Sequence, residues 1–362
     1  MVRRMTLRSG SSLRHHPKIP SILILLSILS MIFIPHVPVM ASHAARSENK
    51  QNKEDDEMYV YDLLGVERPS NAPRIFRRLS WRLHQKILPL LHWGDASQAK
   101  DVDVNLRVLW AKAISSLDSN SLAYEEPEKW TYLLLPPRSR WLLRRIIPVR
   151  LFPRWLHANI ELRTVYLDRL IQEEIENVSS AETKIRVIVL GGGYDARCLR
   201  LLNAPTNSSR RRRIDVAWEL DQASVVQSKH IMLDRIQRQL KKSIRKPHVR
   251  AVDLADGGQL ERTLGEIMSH DDGSDDWFTI LVSEAVLMYL PSGTPSRVLS
   301  TCEGFLRRKR NRSSFVFAER FEGVNANDQT ALRRFLAKAG WKLKTWQPKP
   351  GRTNLMGKAY LI

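Results

Sequence analysis

Four short motifs stand at regular points in the C-terminal half of the chain, each directly after an apolar run. The glycines 191–193 follow the first run, and Asp221, Asp253 and Glu284 close the next three. Because glycine lacks a Cβ, a turn built from it lets the backbone approach a ligand closely. A carboxylate can accept hydrogen bonds from both hydroxyls of a ribose, or one from the amine of an adenine. Together these residues predict a site for a small nucleotide-like cofactor.

The acidic residues, rather than the glycines, indicate which cofactor this is. The glycine triplet lacks the GxGxxG form of a dinucleotide site and is also compatible with an ordinary tight turn. Asp195 stands two residues after the triplet, where its charge disfavours a diphosphate. We therefore predict a cofactor without phosphate, with Asp221 at the ribose, Asp253 at the adenine amine and Leu254 against the adenine ring.

Alternating strands and helices from Lys184 onward are expected to position these motifs. Parallel strands joined by crossover helices form an open Rossmann-like α/β sheet, whose ligands bind at the carboxyl ends of the strands. The last two strands have no helix between them, which predicts an antiparallel hairpin at the edge of the sheet. The predicted strands are 185–190, 215–220, 249–252, 277–283, 314–318, 341–346 and 354–361, and the predicted helices between them are 197–202, 222–242, 258–268, 294–307 and 328–339.

The residues before the sheet divide into three predicted regions. Residues 58–183 carry helical periodicity with proline interruptions, most clearly at 106–117 and 160–175, and are expected to form a helical cap that shapes the substrate region. Residues 46–57 are polar and charged and resemble a linker. The cofactor-binding domain is accordingly expected to span residues 184–362.

The N-terminal residues 1–45 have the composition of a targeting segment. The apolar run at 21–34 follows five basic residues and precedes small residues, which is typical of a signal peptide. An uncleaved membrane anchor within residues 19–40 is the alternative, and the absence of acidic residues before Glu48 also suits an organelle transit sequence. We expect a location in the secretory pathway, the endomembrane system or an organelle.

The formal net charge of +20 does not by itself indicate a nucleic-acid partner. The basic residues are scattered, no nucleic-acid motif accompanies them, and we predict no nucleic-acid binding. Cys198 and Cys302 are the only cysteines in the sequence, which excludes a disulfide framework and a cysteine-rich metal site. No metal site is predicted, and Cys198 is expected to be a small core residue.

Several motifs in combination resemble the leucine carboxyl methyltransferase family. They are LGGGYDAR at 190–197, WELD at 218–221 with Lys229 eight residues later, VDL at 252–254 and SEAVLMYLP at 283–291. Upstream, residues 110–127 resemble the cap of the bacterial small-molecule members, and residues 160–164 the family's arginine–threonine motif. The resemblance implies a class I methyltransferase that uses S-adenosylmethionine to methylate a protein C-terminal leucine carboxylate or a small molecule.

Cofactor contacts are implied residue by residue from this resemblance. Lys112 and Arg163 would face the methionyl carboxylate, since both are cations. The chain departs from the family pattern where Gly192 replaces an alanine and Ala196 replaces a threonine, so the following helix loses a hydroxyl at its start. The cofactor-binding residues are predicted to be Lys112, Arg163, Gly191, Gly193, Asp221, Asp253, Leu254 and Glu284.

The methyl acceptor is expected to be a carboxylate, because no histidine lies in or next to the strand-end motifs. A carboxylate is ionised at pH 7 and needs no general base, whereas a hydroxyl usually needs one. Tyr289 and His157 are weak candidates for such a base. The sequence also allows three other interpretations: a methyltransferase with a hydroxyl acceptor, a cofactor-binding module without activity, and a nicotinamide dehydrogenase.

Overall fold

The structure is a computed structural model, and it describes part of the chain. The described residues are 100–117, 129–145, 158–178, 180, 182–204, 214–241, 243–269, 276–308, 312–325, 328–347 and 355–362. The predicted targeting segment 1–45, the predicted linker 46–57 and His157 lie outside them.

A seven-stranded sheet forms the centre of the described region, with the strand order β3-β2-β1-β4-β5-β7-β6. Strands β1 to β5 are mutually parallel, whereas β7 runs antiparallel to both β5 and β6. The bounds are β1 Lys184–Leu190, β2 Val216–Asp221, β3 His248–Ala251, β4 Trp277–Glu284, β5 Arg312–Glu319, β6 Trp341–Gln347 and β7 Leu355–Leu361. The predicted α/β class and the antiparallel terminal hairpin are confirmed.

Helices precede the sheet and connect its strands. The described helices are α1 Lys100–Leu117, α2 Lys129–Leu134, α3 Pro137–Arg145, α4 Ala158–Asn177, α5 Arg197–Leu202, α6 Ala223–Leu240, α7 Gly257–Ser269, α8 Thr294–Arg308 and α9 Gln329–Lys338. A 3-10 turn, Leu287–Tyr289, follows β4. Helix α5 begins without a side-chain cap at Ala196, as expected from the missing hydroxyl. Helix α9 begins at the predicted place, where the Asp328 side chain accepts a hydrogen bond from the Ala331 N–H at 2.8 Å.

The sheet is apolar on both faces, which is typical of parallel sheets covered by helices. Along β1, Ile188 and Leu190 belong to one buried cluster, and Val187 and Val189 belong to another on the opposite face. A third cluster joins α1, α2 and α6 to the residues after β1. Because α1 packs there, its polar side chains are brought to the carboxyl end of β1.

The register of the sheet places the predicted motifs side by side. Leu190 in β1 pairs with Leu220 in β2 and with Ser283 in β4. Asp221 and Glu284, each one residue further along, are therefore level with Gly191. Asp221 pairs with Ala251 in β3, so that Asp253 lies two residues beyond the same edge.

Within the described residues no helix is long and apolar enough to cross a membrane. No group of histidine, cysteine or acidic side chains in this part of the chain could hold a metal ion. Cys198 and Cys302 are both buried, and neither forms a disulfide, so Cys198 is a core residue as predicted.

Candidate active site

The turn after β1 has a backbone shape that requires glycine. Gly191 and Gly193 have φ angles of +63° and +50°, in the left-handed region where a Cβ is strained. A Cβ on Gly191 would collide with the Val286 side chain, and one on Gly193 would collide with the Asn105 amide oxygen. The turn is therefore held closely between the segment after β4 and helix α1.

Asp221, at the end of β2, is directed toward the glycine turn. Its carboxylate accepts a hydrogen bond from the Gly193 N–H at 2.7 Å and another from the Gln222 N–H at 2.8 Å. A carboxylate oxygen has more than one lone pair, so these bonds leave acceptor capacity for the hydroxyls of a ribose. The contact places the predicted ribose acid directly beside the predicted cofactor turn.

Asp253 and Leu254 lie beyond β3 and differ in exposure. Asp253 is exposed, and one of its oxygens accepts a hydrogen bond from the Ala255 N–H at 2.9 Å. Leu254 is 5% exposed and contributes to the buried cluster on one face of the sheet. The carboxylate is thus open to a ligand, whereas the leucine side chain belongs mainly to the core.

Lys112 from α1 and Arg163 from α4 meet Glu284 at the end of β4. The Lys112 ammonium lies 3.2 Å from one Glu284 oxygen and 3.1 Å from the Asp195 carboxylate, and the Arg163 guanidinium lies 3.2 Å from the other Glu284 oxygen. Arg197 joins them, with its guanidinium 2.7 Å from Asp195 and 2.9 Å from Glu284. Five residues from four elements and the β1 turn therefore form one ionic cluster.

The two carboxylates of this cluster are held in the ionised form. Burial raises the pKa of Asp195, but Arg197 and Lys112 outweigh burial and hold the pKa well below its ordinary value. Burial likewise raises the pKa of Glu284, and Lys112, Arg197 and Arg163 lower it to about 2. Both groups are consequently weak proton acceptors at neutral pH.

A further ion pair, between Asp168 and Arg200, extends the cluster. Asp168 on α4 accepts a hydrogen bond from Arg197 at 2.8 Å and also forms an ion pair with Arg200. Counted over these described side chains, four cations face three carboxylates, which leaves one positive charge. The cations are Lys112, Arg163, Arg197 and Arg200, and the carboxylates are Asp168, Asp195 and Glu284.

The surplus charge and the strand-end acids suit the predicted cofactor. S-adenosylmethionine carries a carboxylate at one end, which the surplus cation would balance. At its other end, Asp221 offers acceptors beside the glycine turn, and the exposed Asp253 offers them one strand further. The residues present therefore fit this cofactor.

Lys229 on α6 makes a second buried ion pair beneath the turn. Its ammonium lies 3.0 Å from Glu219 in β2, and it donates hydrogen bonds to the carbonyl oxygens of Gly193 and Asp195. Burial raises the pKa of Glu219, and Lys229 counteracts this. Glu219 and Lys229 therefore support the turn from inside the fold, while Asp221 faces its outer side.

Glu319, at the end of β5, braces the segment after β4. One of its oxygens accepts hydrogen bonds from the Ser283 hydroxyl at 2.6 Å and the Val286 N–H at 2.8 Å. Between these two residues Ala285 has a φ of +53°, which is unusual for a residue with a side chain. Burial raises the pKa of Glu319 to about 7. Glu319 thus fixes the strained backbone next to Glu284.

The sequence indicated two candidate bases, and it gave no role to three residues of the site. Tyr289 is 67% exposed on the 3-10 turn, and His157 lies outside the described residues. Asp168 and Glu319 carried no sequence signal that assigned them to the site. Arg197 stood inside the LGGGYDAR motif without a predicted role, although a charged residue beside a glycine turn was a usable signal.

The sheet order, the glycine turn and the strand-end acids define a class I, S-adenosylmethionine-dependent methyltransferase. A comparison with family models agrees: the leucine carboxyl methyltransferase model matches residues 143–303. The family resemblance predicted from the motifs is therefore confirmed over these residues, and with it the enzyme class and the cofactor. A comparison with curated proteins gives no match.

Solved structures resemble the chain at low sequence identity. Magnesium protoporphyrin IX methyltransferase from Synechocystis PCC 6803, with bound SAM, is 11% identical over 81% of this chain and 100% of its own, with a TM-score of 0.36. LepI, with SAH and a substrate analogue, is 13% identical over 94% of this chain and 93% of its own, with a TM-score of 0.36. An O-methyltransferase family protein from Burkholderia thailandensis is 12% identical over 88% of this chain and 98% of its own, with a TM-score of 0.35.

Replacing Asp221 with alanine is expected to weaken binding of S-adenosylhomocysteine at least about tenfold, because two hydroxyls lose their acceptor. Titration calorimetry measures the affinity. Asp234→Ala on α6 removes an acid that is paired with Lys246 at the surface, and it should bind like the wild type. Unchanged affinity in Asp221→Ala would show that the ribose lies elsewhere.

Proposed function

We propose that this methyltransferase transfers its methyl group to a carboxylate oxygen of the acceptor. The observation that carries the proposal is the ionic cluster at the end of β4. Its acids, Asp195 and Glu284, are held ionised by Lys112, Arg163 and Arg197, so they are poor general bases. An acceptor that arrives already deprotonated needs no base from this cluster.

When bound, the cofactor supplies a sulfonium methyl group: the acceptor oxygen forms a bond to the methyl carbon while the carbon–sulfur bond breaks, and its electron pair stays on sulfur. The protein mainly has to align the two partners and exclude water. In this proposal Asp221 and Asp253 hold the nucleoside, and the cationic surplus around Lys112 and Arg163 holds the methionyl carboxylate. Glu319 keeps the segment beside Glu284 in place.

The stability of the methylated product toward alkali tests this proposal. The full-length protein is incubated with cofactor carrying a radioactive methyl group and with a cell extract, and the products are treated with alkali. A methyl ester releases volatile labelled methanol, whereas a methyl ether does not, so we expect label in the vapour phase. Asp221→Ala serves as the control and should transfer little label. Label that stays bound after alkali would support a hydroxyl acceptor and overturn the proposal.

The same labelled products distinguish the two kinds of carboxylate acceptor. Label that precipitates with protein indicates a C-terminal carboxylate, and label that stays soluble in acid indicates a small-molecule acid. We favour the small-molecule acid, because residues 110–127 resemble the cap of the bacterial small-molecule members.

We also propose that residues 1–45 direct the chain into the secretory pathway, the endomembrane system or an organelle. Their basic start, apolar run at 21–34 and small residues support this. Fluorescent fusions of the full chain and of a chain that begins at residue 46 test the proposal. Identical distribution of the two fusions would overturn it.

A further inference from the structure

A cavity of about 450 Å³ lies where the segments after β4 and β5 face each other. Its volume falls within the range of small-molecule sites, which is about 300–1,000 Å³. The lining combines apolar and polar residues, and it includes one arginine. The residues that matter here are Leu287, Met288, Leu290, Phe321, Val324 and Arg320.

The cavity is joined to the cofactor turn through the segment after β4. Val286 packs where a Cβ on Gly191 would stand, and the next residue, Leu287, lines the cavity. On the other wall, Glu319 bonds to the Val286 N–H, and the next residue, Arg320, lines the cavity. On each wall, the residue that lines the cavity is therefore the direct chain neighbour of a residue that shapes the cofactor site.

Arg320 gives this cavity a cation that is available to a ligand. Its side chain is exposed and forms no ion pair within the described part of the chain. Glu322 lines the same cavity, but its carboxylate accepts hydrogen bonds from the Ser292 hydroxyl and from the Gly293 N–H at 2.8 Å. Glu322 thus ties the two walls together, whereas Arg320 remains to receive an anion.

We propose that this cavity is the acceptor site and that it takes a small, mainly apolar carboxylic acid, with Arg320 pairing with the carboxylate. This inference rests on the proposed function. An apolar body matches the partly exposed Met288, Leu290 and Val324, and a guanidinium is well suited to a carboxylate. Methylation would convert the anion into a neutral ester, so the product would lose its ion pair and leave more readily.

Calorimetry tests the inference by measuring the affinity of the full-length protein for 4-phenylbutyrate in the presence of S-adenosylhomocysteine. Methyl 4-phenylbutyrate, which has the same apolar body without the charge, is measured in parallel. We expect the acid to bind the wild type about fivefold more tightly than the ester. Arg320→Gln should remove this difference, while Arg333→Gln, which removes an exposed arginine on α9, should preserve it.

A second variant, Val324→Trp, is designed to fill the cavity and should weaken binding of acid and ester alike. The affinity of each variant for S-adenosylhomocysteine shows that its cofactor site is intact. Equal binding of the acid by the wild type and Arg320→Gln, or unaltered binding in Val324→Trp, would overturn the acceptor-site inference alone. Label that resists alkali in the extract assay would instead overturn the proposed function.

Discussion

Replacing Arg197 with methionine is expected to lower the free energy of unfolding by about 3–5 kcal/mol at pH 7. Arg197 is 1% exposed, and its guanidinium contacts Asp168, Asp195 and Glu284. Methionine fills a similar volume but leaves three carboxylates without their shared cation. Removing one member of a buried ion pair is costly, because the remaining charge stays away from water. Urea denaturation at pH 7 measures the loss.

A matched control separates the buried cluster from the general effect of losing an arginine. Arg169 on α4 is 78% exposed and pairs with Glu173 one turn away, so Arg169→Met should change stability by less than about 0.5 kcal/mol. Should Arg197→Met fail to fold, Arg197→Lys keeps the charge and should show a smaller loss. A loss below about 1 kcal/mol in Arg197→Met would contradict the importance of the cluster.

Strands β1, β2, β4 and β5 could be predicted from the sequence, because each is a short, largely apolar run that ends at an acid or glycine. The runs 185–190 and 277–283 correspond to Lys184–Leu190 and Trp277–Glu284. A buried parallel strand needs apolar residues on both faces, and this requirement leaves a clear pattern. The boundaries differ by one or two residues, since a terminal residue is held by the ladder regardless of its type.

The ionic cluster could be predicted only in part, because its members are far apart in the sequence. Lys112 and Glu284 are 172 residues apart, and Arg163 and Glu284 are 121 residues apart. The family resemblance placed these three at the cofactor, but no local pattern shows which acid a cation will face. The contact between Arg197 and Asp168 depends on how α4 packs against α5. This packing cannot be derived from the local sequence.

The same cluster is expected to contribute to both stability and binding. Its carboxylates hold Lys112 and Arg163 at the strand ends, while the surplus positive charge remains for a ligand anion. Such a site is costly to assemble, since its charges are largely withdrawn from water. The ions are nevertheless prearranged, so the cofactor would not have to reorganise them on binding.

Replacing Glu319 with glutamine is expected to flatten part of the pH dependence of stability. In the unfolded chain the carboxyl has its ordinary pKa of 4.5, and burial raises the pKa to about 7 in the native state. The native protein thus binds this proton more tightly than the unfolded chain does. The contribution of the protonated carboxyl to the free energy of unfolding is fully present below about pH 4.5 and is lost as the pH rises to about 7. Glutamine stays neutral and can accept the same bonds from Ser283 and Val286.

The free energy of unfolding of Glu319→Gln minus that of the wild type should therefore be up to about 3 kcal/mol larger at pH 8 than at pH 4.5. Asp195 and Glu284 act in the opposite direction and below this range, because their pKa values are lowered. The raised pKa of Glu219 affects both proteins equally, so the difference isolates Glu319. Urea denaturation at half-unit steps of pH measures it, with Glu266→Gln, an exposed glutamate on α7, as the charge-matched control. If the free energy of unfolding depends on pH in the same way in Glu319→Gln and the wild type, Glu319 is already ionised in the native state. A buried carboxylate anion would then accept the hydrogen bonds from Ser283 and Val286.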